Sequence, residues 1–333
     1  MKREGNQVRN GKAFEYAIAI TYRDELKKMG FSVKIDEDSP YFVAQKYFNE
    51  VEENEQKRFL LASKITFQTM LKIEPGLTSP KNDMDILRIR LASDAEGMAG
   101  DVRDVIFSRP LSNWEIGFSA KNNNEDAKHS RLGPRKKKTE LDWGVKWLGI
   151  QSTEEFWAEF NPILDKVLEY KNSGKKKWDD ISDIIESDFY IPTLTAFKNE
   201  IERQNSRVKD LPSKLTSFFI GNRSFYKIIK NDSSNLVIVR AFNYNGELNQ
   251  DLNNGKSKFK IPEIEYPTKI VHFDFPEEKD GLKNSLEMIL DKGWAIKLRI
   301  HSGDSALKRS LKFAVSLTGN PPILFSQFLF QEE

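Results

Sequence analysis

Residues 101–121 read DVRDVIFSRPLSNWEIGFSAK. Two short apolar runs, VIFSR and WEIGFSAK, flank Pro110-Leu111-Ser112-Asn113. Turn formers between β-prone runs predict an antiparallel hairpin. With the strands paired about Leu111-Ser112, Asp104 falls almost opposite Ser119, and alternation puts Glu115, Ser119 and Lys121 on one face of their strand. Asp104 and Lys121 then converge on one point.

Upstream of this hairpin, Phe14, Ala17, Ile18, Tyr22 and Leu26 recur at helical spacing and Gly30 ends the run, which predicts an amphipathic helix over residues 11–29. Residues 41–71 read as one or two further helices stopped by Pro75-Gly76, and ILRIRLAS (86–93) alternates as a strand. Asp36, Glu37 and Asp38, with Ser39 and Pro40 behind them, read as a solvated turn.

Downstream, KNNNEDAKHSRLGPRKKKTE (121–140) is a basic surface loop, or a segment that orders on an anionic partner. Ser152 and Glu155 form a capping box for a helix that reaches Tyr170, with Pro162 expected to break or kink it. Helices are predicted at 192–206 and 211–220. From Phe225 the period changes to two in FYKIIK, NLVIVRAF, KIVHFDF, WAIKLRIHS, LKFAVSLTG and ILFSQFLF, with one helix at 280–291.

The 333 residues, 38% of them hydrophobic, suffice for one large or two ordinary domains. No apolar run approaches the roughly 20 residues of a spanning helix, and the first residues are polar, so a soluble, cytoplasmic protein without membrane contact is expected. The absence of cysteine excludes disulfides, thiolate catalysis, the usual structural zinc sites and iron–sulfur chemistry. Metal chemistry is thereby restricted to hard oxygen donors and leans toward Mg²⁺. A net charge of +2 from a 31% charged chain decides nothing about nucleic acid.

A carboxylate that holds a divalent cation, beside a lysine that orients water and offsets developing charge, is what phosphodiester hydrolysis requires. An Asp and a Lys with sixteen residues between them also suit a solvated ion pair, so the spacing alone leaves both readings open. The arrangement resembles the PD-(D/E)xK nucleases, with Ser119 standing where that superfamily has its second acid. The phrases GKAFEYA (11–17), GDVRDVIFSR (100–109), NWEIGFSAKNNNEDAKHSRL (113–132) and RIHSGDSALKRSLKFAVSLTGNPP (299–322) together resemble the HaeIII family of type II restriction endonucleases. This resemblance implies Mg²⁺-dependent cleavage of double-stranded DNA with GGCC as the target. Catalysis falls to Asp104, Lys121 and Ser119.

The metal set is ranked Asp104 first, then Asp101 from the loop and Glu15 from the first helix, where the superfamily often adds a glutamate. Glu115 comes last, since six strand residues place it about 20 Å from Lys121. The expected fold is α/β (α+β mixed): a restriction-endonuclease-like core with a central mixed sheet flanked by helices, plus a β-rich C-terminal part. The expected division is a catalytic core at 1–150, a helical connector at 151–220 and a β-rich DNA-recognition part at 221–333, with interleaving of recognition and catalysis left open.

For DNA contact the candidates are Asn122, Asn123 and Asn124 directly after the lysine strand, and Lys128, His129 and Arg131 beyond them. Arg299 and His301 on one strand face follow, with Lys308 and Arg309. Each group has a plain structural alternative: turn formation, a solvated loop, or outward charges on a sheet edge. Trp143, Trp147 and Trp157 suit packing. A palindromic target favours a two-fold homodimer, against a monomer nicking each strand in turn. A structure-specific or repair nuclease on the same scaffold, and a DNA-binding protein in which Asp104 and Lys121 only form a salt bridge, are the competing functions.

Overall fold

Phe14, Ala17, Ile18, Tyr22 and Leu26 line one face of helix α1 (Lys2–Lys28), and all five are removed from solvent. The computed structural model describes residues 2–93, 96, 100–123, 128–134, 142–277 and 283–331, and of residues 2–5, 128 and 129 the backbone alone. The chain folds into two compact units, each assembled from separate segments. Met1–Glu125, Gly221–Glu265 and Ile323–Glu333 make the first, Asp126–Ile220 and Tyr266–Pro322 the second. Among the described residues no helix is long and apolar enough to cross a membrane.

The first unit is built on a mixed sheet. Its strands are β1 (Val33–Ile35), β2 (Leu87–Leu91), β3 (Val105–Arg109), β4 (Trp114–Asn122), β6 (Phe225–Asn231), β7 (Leu236–Phe242) and β12 (Phe325–Phe330), in the order β1-β2-β3-β4-β6-β7-β12. The expected hairpin is present, with Val105 opposite Phe118 and Arg109 opposite Trp114. Strand β6 runs parallel to β4. Strands from both ends of the chain thus share one sheet.

Ile116, Phe118 and Ala120 of β4 enter the core with α1 and with α3 (Glu53–Ile73), which leaves Glu115, Gly117, Ser119 and Lys121 on the opposite face. Tyr22 locks α1 to α3 and the hairpin, its ring centroid 5.1 Å from Phe67, 5.0 Å from Phe107 and 5.4 Å from Phe118. Each such contact contributes about 0.5–1.5 kcal/mol beyond area burial. Glu15 lies two turns before Tyr22 on the same helix face, so the packing that fixes Tyr22 also fixes Glu15. Asp38, expected in a solvated turn, is exposed and also caps α2 (Ser39–Glu50) by accepting the Tyr41 N–H at 3.3 Å.

At the far end of α3, Glu74 is fully buried and accepts the Tyr226 hydroxyl at 2.5 Å and the Asn249 N–H at 2.7 Å. Burial pushes its carboxyl up to about 7, against these hydrogen bonds, which favour the ionised form. A carboxyl raised on folding holds its proton more tightly folded than unfolded. Its contribution is therefore fully present below the unfolded value of 4.5 and is lost as pH rises to about 7. Glu74→Gln does not titrate and keeps an acceptor for Tyr226. Its stability relative to the parent is expected to rise between those two pH values by on the order of 3 kcal/mol and to level off above them. Thermal denaturation of both proteins across pH checks this, and a constant difference would refute it.

The second unit holds a sheet that is antiparallel throughout, in the order β5-β11-β10-β9-β8, from β5 (Lys128–Leu132), β8 (Ile270–Asp274), β9 (Ser285–Leu290), β10 (Ala295–His301) and β11 (Leu311–Gly319). Helices α4 (Trp143–Leu148), α5 (Glu154–Asn172), α6 (Ile191–Asn205) and α7 (Leu211–Ile220) belong to the same unit. Phe197 and Trp147 meet Phe313 of β11 at 4.9 and 6.3 Å. Trp143, Trp147 and Trp157 are all buried in this unit, as packing requires.

Three local expectations are corrected here. Residues 285–290 form a strand and not a helix: Leu286, Met288 and Leu290 are buried at period two between β8 and β10, and that pairing overrides the helix propensity of Leu, Glu and Met. The cap of α5 is Thr153, whose hydroxyl accepts the Phe156 N–H, and not Ser152, and the helix continues through Pro162. Part of the basic loop is strand β5, pinned to β11 by Ser130 and Leu132, which are buried.

Candidate active site

Asp104 stands at the entry to β3, its N–H donating to Phe118 O at 2.6 Å and its carbonyl accepting the Ala92 N–H at 2.9 Å. The backbone is thus held from both neighbouring strands. Its carboxylate Oδ2 accepts the Ala120 N–H at 2.8 Å and the Ser119 hydroxyl at 3.3 Å, and lies 3.6 Å from Lys121 Nζ. All three partners fall on one oxygen. Among the described residues none donates to Oδ1.

The Asp104 and Lys121 side chains remain about a quarter exposed, at 23% and 24%. The pair is open to a ligand. Glu15 is 5% exposed and receives Lys12 Nζ at 3.0 Å on Oε2. Burial first, and then the charge of Asp104, push the Glu15 carboxyl up to about 8, while Lys12 and Lys121 pull it down. Asp104, Ser119 and Lys121 therefore gather in one place, and Glu15 of α1 feels the charges of Asp104 and Lys121.

Asp101 and Glu115 are both held by Arg103. Arg103 Nε donates to Asp101 Oδ1 and Oδ2 at 2.9 and 3.1 Å, Nη2 to Oδ2 at 2.7 Å, and Nη1 to Glu115 Oε1 at 2.8 Å. Burial raises the Asp101 carboxyl, but the Arg103 hydrogen bonds and charge outweigh it and hold the group below the usual carboxylate range. Lys12 and Arg103 were not singled out from sequence. The signals available were the i,i+3 spacing of Lys12 to Glu15 and the place of Arg103 directly before Asp104. Among the described residues no group of three or more His, Asp or Glu side chains is set to hold a metal.

The candidate DNA contacts divide between the units. In the first unit Asn122 Oδ1 accepts Lys230 Nζ at 3.2 Å, and Asn123, at φ 54°, exchanges two hydrogen bonds with Asp232 at 2.5 and 2.7 Å. These asparagines close the β4 end onto β6. Asn124 and the side chains of Lys128 and His129 lie outside the described residues.

In the second unit, register places position 129 in a row with Ala314 and Arg299, and Arg131 in a row with Lys312 and His301. Segments far apart in sequence are thereby neighbours on one sheet. Arg131 donates to Ser310 Oγ at 2.7 Å and Asp304 Oδ2 at 2.9 Å, Lys308 lies 3.1 Å from Asp304 Oδ1, and Arg309 pairs with Asp165.

The mixed α/β unit thus carries an acid at the start of one hairpin strand and a lysine on the next, paired at 3.6 Å. The family model of the HaeIII restriction endonuclease matches residues 11–321, and the chain belongs to that family, which makes it a type II site-specific deoxyribonuclease. It is 31% identical over 313 residues to the type II restriction enzyme HaeIII of Haemophilus aegyptius, covering 94% of each chain. No solved structure matches it. The family resemblance read from the sequence therefore holds, and so does the expected mixed α/β fold with its β-rich C-terminal part.

Proposed function

We propose that the chain cleaves both strands of DNA at a short site, GGCC, in a Mg²⁺-dependent reaction carried out at Asp104, Lys121 and Glu15. The observation that carries this reading is the convergence of Lys121, the Ser119 hydroxyl and the Ala120 N–H on a single oxygen of Asp104. Asp104 and Glu15 offer hard oxygen donors of the kind Mg²⁺ prefers, and it commonly completes its shell with water. The raised Glu15 carboxyl fits such an ion, because burial first, and then the Asp104 charge, penalise its ionised form, and a bound cation would offset that penalty. When bound, the ion supplies Lewis-acid activation and charge neutralisation at the phosphate.

Lys121 does the rest of the work at the reacting atoms: its ammonium orients the attacking water and offsets the charge that builds on the phosphoryl oxygens. Ser119 and the Ala120 N–H keep the Asp104 carboxylate aimed. Lys12 opposes part of the burial penalty on Glu15 through its hydrogen bond and charge. Base reading is assigned to the five-stranded sheet, where Arg131, Arg299 and His301 lie in adjacent rows with Lys312, since arginine can bond O6 and N7 of guanine together. Asn122, Asn123, Lys308 and Arg309 are assigned to phosphate contact. A palindromic site is met most simply by a two-fold dimer acting in the cytoplasm, each copy presenting one Asp104–Lys121 pair to one strand.

Digestion of genomic DNA with Mg²⁺, and with EDTA in its place, tests the reading. Discrete fragments ending at GGCC are expected with Mg²⁺ and intact DNA with EDTA. A smear would indicate a structure-specific or repair nuclease, and no cutting a DNA-binding protein without catalysis.

A further inference from the structure

Arg103 is 5% exposed, yet it carries the only cation among the described residues that binds both Asp101 and Glu115. Its aliphatic stem crosses β4 at Gly117, where an added Cβ would lie 2.2 Å from Arg103 Cδ and 2.7 Å from Cγ. Gly117 sits between Glu115 and Ser119 on the strand face that ends at Lys121. Only a glycine leaves that track open. Exposed Arg223 adds a second, looser contact to Glu115 at 3.5 Å.

We propose that Arg103 is a positioning residue for cleavage: by drawing Asp101 and Glu115 onto one guanidinium across Gly117, it clears the face beside Asp104 of uncompensated negative charge and lets a DNA phosphate approach. The proposal rests on the reading of Asp104 and Lys121 as the cleavage pair. Two bare carboxylates on that strand face would repel a phosphodiester backbone lying along it over several ångströms. The bidentate fork serves this purpose better than an ammonium, because it binds one acid along an edge and still reaches the other.

The test measures binding of duplex DNA in Ca²⁺, at low and high salt, to Arg103→Met and to the triple variant Asp101→Asn, Arg103→Met, Glu115→Gln. Arg103→Met is expected to weaken binding roughly tenfold at low salt, with the defect shrinking as salt screens the exposed acids. In Mg²⁺ its KM is expected to move more than its kcat. The triple variant, with the acids neutralised, is expected to recover binding to within a few-fold of the parent. Unchanged binding by Arg103→Met, or a defect indifferent to salt, would overturn the proposal. So would a triple variant that binds no better than Arg103→Met or fails to fold. If Arg103→Met itself does not fold, the triple variant decides alone. The readout is binding to duplex of any sequence, so it stands apart from the cleavage reading: an Asp104→Ala protein that still cut DNA would remove that reading and leave the charge rescue intact.

Discussion

Asp104→Ala is expected to lower the cleavage rate by at least about a thousandfold while leaving DNA binding in Ca²⁺ within a few-fold of the parent. The substitution removes the carboxylate on which the Ala120 N–H, the Ser119 hydroxyl and Lys121 converge, and with it the strongest oxygen donor open to a cation. Little stability is at stake, because the side chain is partly exposed and the backbone contacts of Asp104 to Phe118 and Ala92 are kept. Lys121→Ala is expected to fall similarly, since nothing else on β4 brings an ammonium to that carboxylate among the described residues. Lys121→Arg should recover only a small part of the rate, because a planar fork cannot take the place of a point charge beside water. Time courses of plasmid cleavage in Mg²⁺, with binding in Ca²⁺ as the control for folding, settle both. Undiminished cutting by Asp104→Ala or Lys121→Ala would sink the assignment.

Arg109→Ala is expected to cost about 4 kcal/mol of stability or more, enough to leave much of the protein unfolded at ordinary temperature. Arg109 is 1% exposed, and its guanidinium donates to three carbonyls, Gly76 O at 2.6 Å, Asp85 O at 2.5 Å and Leu77 O at 2.8 Å. These carbonyls belong to the turn after α3 and the approach to β2, so one side chain ties three parts of the first unit together. Removing it strands buried acceptors at about 1–3 kcal/mol each and opens a cavity beside them. Gly76 is packed so closely under Trp114 that an added Cβ would lie 2.1 Å from the indole, which denies the turn an easy way to collapse into the space. Arg109→Lys retains the charge but not the fork, and should recover only part of the loss. Urea denaturation of the three proteins measures the effect. A midpoint for Arg109→Ala equal to that of the parent would show that the clamp is dispensable.

The hairpin was readable because it is local. Pro110 to Asn113 supply the turn, β-prone residues flank it, and alternation then dictates that Ser119 and Lys121 share a face opposite Phe118 and Ala120. The buried stripe of α1 was readable for the same reason, through the 3.6-residue period of Phe14, Ile18 and Tyr22. The strand at 285–290 was not, because a short segment of Leu, Glu and Met suits a helix as well as a strand until its neighbours are known.

The ranking of the acids was beyond reach for a related reason. Asp101 and Glu115 are both close to Asp104 or Lys121 in sequence, and only the side-chain packing shows that Arg103 takes them both. Glu15 is far away in sequence, and only the docking of Tyr22 between Phe107 and Phe118 shows that its helix face meets the hairpin. The sheet itself has the same character. Strand β6 lies parallel to β4 after a crossover of about a hundred residues that contains most of the second unit, and no local pattern predicts a pairing over so long a loop.

By itself, then, the sequence determined the local geometry of this protein: where strands turn, which residues share a face, which family the whole chain resembles, and that an aspartate and a lysine meet at the hairpin. The tertiary structure alone decided that Arg103 takes both Asp101 and Glu115 and that Glu15 is buried on the face of α1 that packs on the hairpin. Alternation and helical period act over a few residues and set direction, while the burial of Glu15 against the hairpin, and the meeting of Arg103 with Asp101 and Glu115, depend on how distant surfaces pack and on which small residue leaves a path open.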